Sequence, residues 1–346
     1  MEKSLRDRRK SIPVRIVVTG SRGKSSLTRL LHAALNACGI RTYSRITGVV
    51  PRELAPSTPN GEFAERVIRR CSPAHVREML WWFSQVPCDA EAVVIENSAV
   101  APDLQFFAAD LLDPTLVVWT TLRADHEEVW GRGREGAAHA LMRGVPKGIA
   151  VVGGPELRQC RPLLKVLEKN ANLLITSDSD AGGSHIEENI SLAGLVCQLC
   201  GERRGFDPTP AEKAMRELPA DFADFRVMAW GSDELAVAFS ANDPKSTSLL
   251  FEETGWRYEE TTLLYHHRVD REARLRTFAS WIEGHPWREK IFTRNLRTLS
   301  IWPRAVWSDA IVDVDSFKVW MSGRGKVFAC GNVAGWPIEF LRTRGV

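Results

Sequence analysis

The chain has 346 residues, 44% of them apolar, a formal net charge of +3 and seven cysteines. That length points to two domains, and the small positive charge, with no basic stripe interleaved with aromatics, excludes a nucleic-acid binder. No run approaches the roughly 18 apolar residues needed to cross a bilayer, no apolar leader precedes the first charged residues, and the odd, scattered thiols suit a reducing compartment, so the expected location is the cytoplasm.

The first ten residues are mostly charged and are expected to form a solvated, disordered tail. Val14-Arg15-Ile16-Val17-Val18-Thr19 then reads as a buried parallel strand running into Gly20-Ser21-Arg22-Gly23-Lys24-Ser25-Ser26. The following segment to Gly39 puts Leu27, Leu30, Leu31, Ala34, Leu35 and Cys38 on one helical face. Strand, glycine loop and helix are the setting of a phosphate-binding loop, whose N–H groups and helix dipole face an anion. Lys24 would reach the β and γ phosphates and Ser25 would hold Mg²⁺. The longer form of the motif has a further glycine where this chain has Val18, so the match is to the short G-x-x-G-K-S form; the bland alternative is a plain glycine turn.

Further strands are expected at Ala92 to Ile95, Thr115 to Trp119, Gly148 to Val152 and Leu173 to Thr176, alternating with helices. The fold expected is α/β, with a P-loop-containing doubly wound parallel sheet. Ligands on such sheets bind outside the carboxyl ends of the strands. Glu96 is therefore either a partner of Ser25 on a shared magnesium ion or a strand-end surface carboxylate, and His126 either approaches that metal or pairs with Asp125. Ser184, with Glu187 three residues on, is a candidate helix N-cap. Cys197-Gln-Leu-Cys200 has zinc-like spacing but no second pair, so buried core thiols are the reading. A helical stretch ends near Leu218-Pro219, the domain boundary falls near residue 221, and a smaller α/β domain follows. Its strands are expected at Glu234 to Phe239, Thr261 to Tyr265, Lys290 to Phe292, Ala305 to Trp307 and Val327 to Cys330. The twelve tryptophans are assigned to packing.

Gly20-x-x-Gly23-Lys24-Ser25, the glutamate after the next strand and the Asp125-His126 pair resemble the ATP-dependent Mur ligase superfamily, which includes folylpolyglutamate synthase. Within it the chain is most similar to the poly-γ-glutamate synthase ligase subunit, also called the capsule synthesis ligase. That likeness rests on the Arg22-Gly23-Lys24-Ser25 loop, Ile46-Thr47-Gly48, Glu96 to Gln105, Ala241-Asn242-Asp243, Arg268-Val269-Asp270-Arg271 and Gly331-Asn332.

The resemblance implies an ATP-binding Mur ligase central domain over 1–220 and a Mur ligase C-terminal domain over 221–346. It implies an ATP-dependent, ADP-forming ligation through an acyl phosphate, with ATP and Mg²⁺ as cofactors. Gly20, Ser21, Arg22, Gly23, Lys24, Ser25 and Ser26 would hold the nucleotide, with Asn189 near adenine. Ser25, Glu96 and His126 would surround the metal, Arg226 would reach the γ-phosphate, and Asn242, Asp243, Arg268 and Asp270 would complete the site from the second domain on closure. Partners implied are an amino acid, glutamate first, and a carboxylate acceptor; a membrane-protein partner of a synthase complex and a homo-oligomer stay open. Departures are equally specific. Neither a leading UDP-sugar domain nor an N-terminal anchor is expected, Ala140 stands near the carbamylated lysine of cell-wall members, and Ala74-His75-Val76-Arg77-Glu78 and Asn97-Ser98 replace the subunit's usual residues. These changes leave the ATP chemistry and put the acceptor in question. The alternatives are single addition of an amino acid to a metabolite or peptide, and a nucleotide-binding switch without turnover.

Overall fold

In the computed structural model, β1 (Val14–Thr19) lies inside an eight-stranded sheet because its apolar run can be covered on both faces. The structure describes residues 2–56, 64–67, 76–171, 173–177, 185–241, 243–268, 271–294 and 306–344. They form two compact units, up to Pro219 and from Ala220 onward.

In the first unit the other strands are β2 (Thr42–Ile46), β3 (Arg52–Ala55), β4 (Ala64–Val67), β5 (Ala92–Glu96), β6 (Leu116–Trp119), β7 (Ala150–Gly153) and β8 (Leu173–Thr176). Their order is β4-β3-β2-β5-β1-β6-β7-β8, with β3 alone running against the others and so pairing antiparallel with both β2 and β4. Alternate residues of each strand face opposite layers, as the strand period of two requires. Val14, Ile16 and Val18 pack with Leu27, Leu30, Leu31, Ala193 and Val196 of the helices Lys24–Ala37 and His185–Arg204. Val17, Val93, Ile95 and Val117 pack with Trp82, Phe83, Leu112 and Leu141 on the other face. Strand order reverses at β1, which is flanked by β5 and β6, so the carboxyl ends of these three strands are neighbours.

The second unit holds β9 (Arg226–Trp230), β10 (Asp233–Val237), β11 (Thr261–His267), β12 (Glu289–Arg294), β13 (Val306–Trp307) and β14 (Lys326–Gly331), in the order β13-β12-β11-β14-β10-β9. Only β9 is antiparallel. Tryptophans do pack its core: Phe251 stacks on Tyr258 with centroids 4.3 Å apart and meets Trp287 edge-on at 4.9 Å.

The N-terminal segment corrects the expected disordered tail: Glu2–Ser11 is a helix. It is anchored because Arg9 donates to the carbonyls of Leu111 (2.7 Å) and Asp110 (2.8 Å), and Arg15 donates back to the carbonyls of Arg9 and Ile12. These carbonyls close the end of the helix Pro102–Leu112, which the charge pattern alone does not reveal. β2, β3 and β4 carry too many polar residues to stand out as strands, and β9, apolar but for Arg226, is a further strand beyond those expected. Ala305 and the Ser184 cap lie outside the described residues. Cys197 and Cys200 are buried in the His185–Arg204 helix, where burial pushes the Cys200 thiol up to about 11. Among the described residues no helix is long and apolar enough to cross a membrane.

His32 shows how tightly the first helix is embedded. Fully buried, it donates from Nε2 to the Ala55 carbonyl (3.1 Å) and accepts at Nδ1 from the Ser44 hydroxyl (2.9 Å). Burial, offset in part by the Ala55 bond, pushes the imidazole from 6.5 down to about 4. The folded protein therefore binds fewer protons here than the unfolded chain, so this contribution is complete above pH 6.5 and is lost as pH falls toward 4. Urea unfolding across that window should show wild-type stability falling by up to about 1.4 kcal/mol per pH unit more than that of His32→Gln; parallel profiles would contradict a buried neutral imidazole.

Candidate functional site

The loop after β1 owes its shape to backbone that only glycine tolerates. Gly20 has φ +130°, and a Cβ there would collide with Thr120 Oγ1. Gly23, at φ 78°, is the N-cap of the Lys24–Ala37 helix and leaves the first-turn N–H groups without a side-chain cap. Such a terminus is electropositive and suited to an anion. Lys24 Nζ donates to the Gly20 carbonyl at 2.7 Å, folding the side chain back over the loop. Burial lowers the Lys24 ammonium below the usual lysine range, and the nearby Glu96 carboxylate opposes that shift. Ser26 is half-buried in the first helical turn.

Glu96 ends β5 beside β1 and is only 4% exposed. Its Oε2 accepts from Ser25 Oγ (2.9 Å) and from the Thr47 backbone N–H (2.8 Å). The structure thus brings together two of the residues singled out from the sequence, and adds Thr47, whose hydroxyl donates to Ser98 Oγ at 2.6 Å. Gly48 is part of the same site: a Cβ there would collide with the Ser25 hydroxyl. Thr47 and Gly48 follow β2, a strand its polar residues conceal; the sequence marked them only within the Ile46-Thr47-Gly48 likeness, with no role at the site.

The segment after β6 buttresses the loop. Ser21 N donates to the Thr121 carbonyl and Arg22 N to Thr121 Oγ1, while Arg123 N donates to Ser21 Oγ. Thr120 Oγ1 donates to the Arg22 carbonyl. Arg22 Nη1 pairs with Asp125 Oδ2 at 2.7 Å, both side chains largely buried. Glu156 fastens the far side, accepting from Leu122 N and Arg123 Nε. His126, at φ 46°, caps the short helix Glu127–Trp130, with Nε2 3.7 Å from Asp125 Oδ2, Nδ1 3.5 Å from Glu128 Oε1 and its ring edge-on to Trp130. Among the described residues no three His, Cys, Asp or Glu side chains form a metal-binding group.

Asn189 stands over the loop: a Cβ on Gly23 would lie 3.4 Å from its Nδ2. The second unit's residues are distributed differently. Arg226, within β9, donates to the carbonyls of Asp221 (2.9 Å) and Phe222, fastening its own unit's first turn. Asp243 caps the helix Pro244–Glu253, accepting from Ser246 N at 2.9 Å. Arg268 follows β11, and its carbonyl accepts from Arg271 N at 2.9 Å. Asn242 and Asp270 lie outside the described residues.

Residues 228–344 match the model of the poly-gamma-glutamate synthase CapB C-terminal domain. The chain is 28% identical over 287 residues to PGA synthase CapB of Bacillus subtilis, covering 78% of this chain and 71% of that one. It is 24% identical over 287 residues to the capsule biosynthesis protein CapB of Bacillus anthracis, covering 78% of this chain and 60% of that protein, less than two thirds. Among solved structures, Escherichia coli FolC in complex with DHPP and ADP superposes with a TM-score of 0.64 at 14% identity, covering 99% of this chain and 92% of that one. That likeness carries the fold: a parallel α/β sheet followed by a smaller α/β unit, as in folylpolyglutamate synthases.

Two glycines with positive φ separate close packing from backbone strain. Gly39 has open space around it, so Gly39→Ala should cost about 1–2 kcal/mol from the left-handed backbone alone. Gly20→Ala adds a methyl that must displace Thr120 and should cost about 1–3 kcal/mol more. Urea denaturation of both variants measures the difference, and equal losses would mean that Thr120 yields freely.

Proposed function

We propose that the chain is a Mur-ligase-like relative of the poly-γ-glutamate synthase ligases and acts as an ATP-dependent γ-glutamyl ligase of the poly-γ-glutamate type. The observation that carries the reading is the contact between the Ser25 hydroxyl and the buried Glu96 carboxylate, beside Lys24 and an uncapped helix N-terminus.

Residues 1–220 would form the ATP-binding domain and 221–346 the C-terminal domain. The loop from Gly20 to Ser26 would cradle the nucleotide phosphates with its N–H groups, Lys24 would leave the Gly20 carbonyl for the β and γ phosphates, and Asn189 would border the nucleotide. Phosphoryl transfer demands positioning and charge neutralisation rather than covalent help from the protein. Ser25 and Glu96 offer hard oxygen donors that fit magnesium, with His126 joining them by resemblance. The ion, when bound, supplies neutralisation of phosphate charge. The γ-phosphate would pass to the acceptor carboxylate, giving an acyl phosphate and ADP, and the amine of glutamate would displace inorganic phosphate to form the amide. Arg268 and Arg226, with Asn242, Asp243 and Asp270, would serve the reacting groups from the second domain. Arg226 would have to exchange its present carbonyl partners for phosphate. Dependence on ATP argues for action in the cytoplasm.

Purified protein supplied with ATP, magnesium and glutamate oligomers should release phosphate only when glutamate is added. Lys24→Ala should lower that release by at least about 100-fold with an unchanged thermal transition, because a loop lysine holds no core together. Glutamate-independent hydrolysis, or normal turnover by Lys24→Ala, would replace the ligase by a nucleotide switch or move the reaction elsewhere.

A further inference from the structure

One buried amide at the carboxyl edge of the second sheet ties down both flanks of the Arg268 turn. β11 ends at His267, Arg268 follows, and the helix Glu272–Glu283 begins four residues later. Asn332, the first residue after β14, is fully buried. Its backbone N and its Nδ2 both donate to the His266 carbonyl, at 2.9 and 3.0 Å, and its Oδ1 accepts from Arg274 Nη1 at 2.7 Å. His266 lies just before the turn and Arg274 just after it, so a single side chain spans the turn. The approach is close: a Cβ on neighbouring Gly331 would run into the His266 carbonyl.

We propose that Asn332 is a positioning residue that, by bridging His266 and Arg274, holds Arg268 in one place for an anionic group of the substrate; this rests on the ligase reading above. An amide is suited to the task because it donates on one side and accepts on the other. Alanine would remove both side-chain bonds in a buried setting and with them the tie between the end of β11 and Arg274, while the backbone N–H of residue 332 still donates to the His266 carbonyl. The turn would then sample several positions with Arg268 itself chemically intact, and misplacement of a binding group by about 1 Å can cost up to about 100-fold in rate.

Two measurements on the full-length protein test this. In glutamate-dependent phosphate release, Asn332→Ala should lower kcat/KM by about 10- to 100-fold. The double variant with Arg268→Ala should be no worse than Arg268→Ala alone, since both losses act through one guanidinium. Multiplying losses would overturn the proposal. Independently of activity, limited trypsin digestion should cleave Asn332→Ala after Arg268 and Arg271 about tenfold faster than wild type, with other sites cut at unchanged rates. Unchanged cleavage at the turn, or uniform acceleration everywhere, would overturn it. If Asn332→Ala does not fold, Asn332→Asp, which keeps an acceptor for Arg274 and loses the Nδ2 donor, is judged by the same criteria. If wild type shows no glutamate-dependent turnover, the ligase reading fails by itself, and the trypsin pattern still decides whether Asn332 fixes the turn.

Discussion

Glu96 Oε2 receives hydrogen bonds from Ser25 and from the Thr47 amide, and these partners belong to two different crossovers of the first sheet. A carboxylate so nearly sealed from water is costly unless its oxygens are bonded, and bonds to an ionised acceptor are among the stronger ones. The contact exists because strand order reverses at β1, which sets the ends of β5 and β1 next to each other. Gly48 keeps the space beside the Ser25 hydroxyl clear, and Lys24 lies near enough for its ammonium to feel the Glu96 charge. The site thus depends on one topological feature more than on any single residue.

The third neighbouring strand end acts as a support. The backbone and hydroxyls of Thr120 and Thr121 pair with the loop from Gly20 to Arg22, and the Arg22–Asp125 ion pair closes its outer side. Polar groups at this density are tolerated because nearly every one has a partner, which also restricts the loop to one shape. A loop held in advance loses little conformational freedom when it takes up an anion. His126 sits at the end of this support, oriented by Asp125, Glu128 and Trp130.

The second unit repeats the principle at smaller scale. Its parallel strands also end at a polar edge, where Asn332 joins the end of β11 to the following helix. Asp243 does comparable local work as a helix cap, and Arg226 fastens the turn that opens the unit. Residues that read as functional by motif therefore also carry structural bonds, so their substitution affects order as well as chemistry.

Much of this was legible in the chain itself. The apolar run Val14 to Thr19, the glycine-lysine-serine loop and the helical face from Leu27 to Leu35 are local patterns, and local patterns determine strand, loop and helix. Strand-end position alone brought attention to Glu96. What the sequence did not disclose depends on distant partners: Thr47 and Gly48 on Glu96 and Ser25, Thr121 on Arg22, Asn332 on His266 and Arg274. The N-terminal helix escaped notice because its anchors are carbonyls about 100 residues away. Periodicity reports what a segment buries, since burial repeats along the chain. Which polar groups meet is settled only when strand order and register bring remote segments within hydrogen-bonding distance.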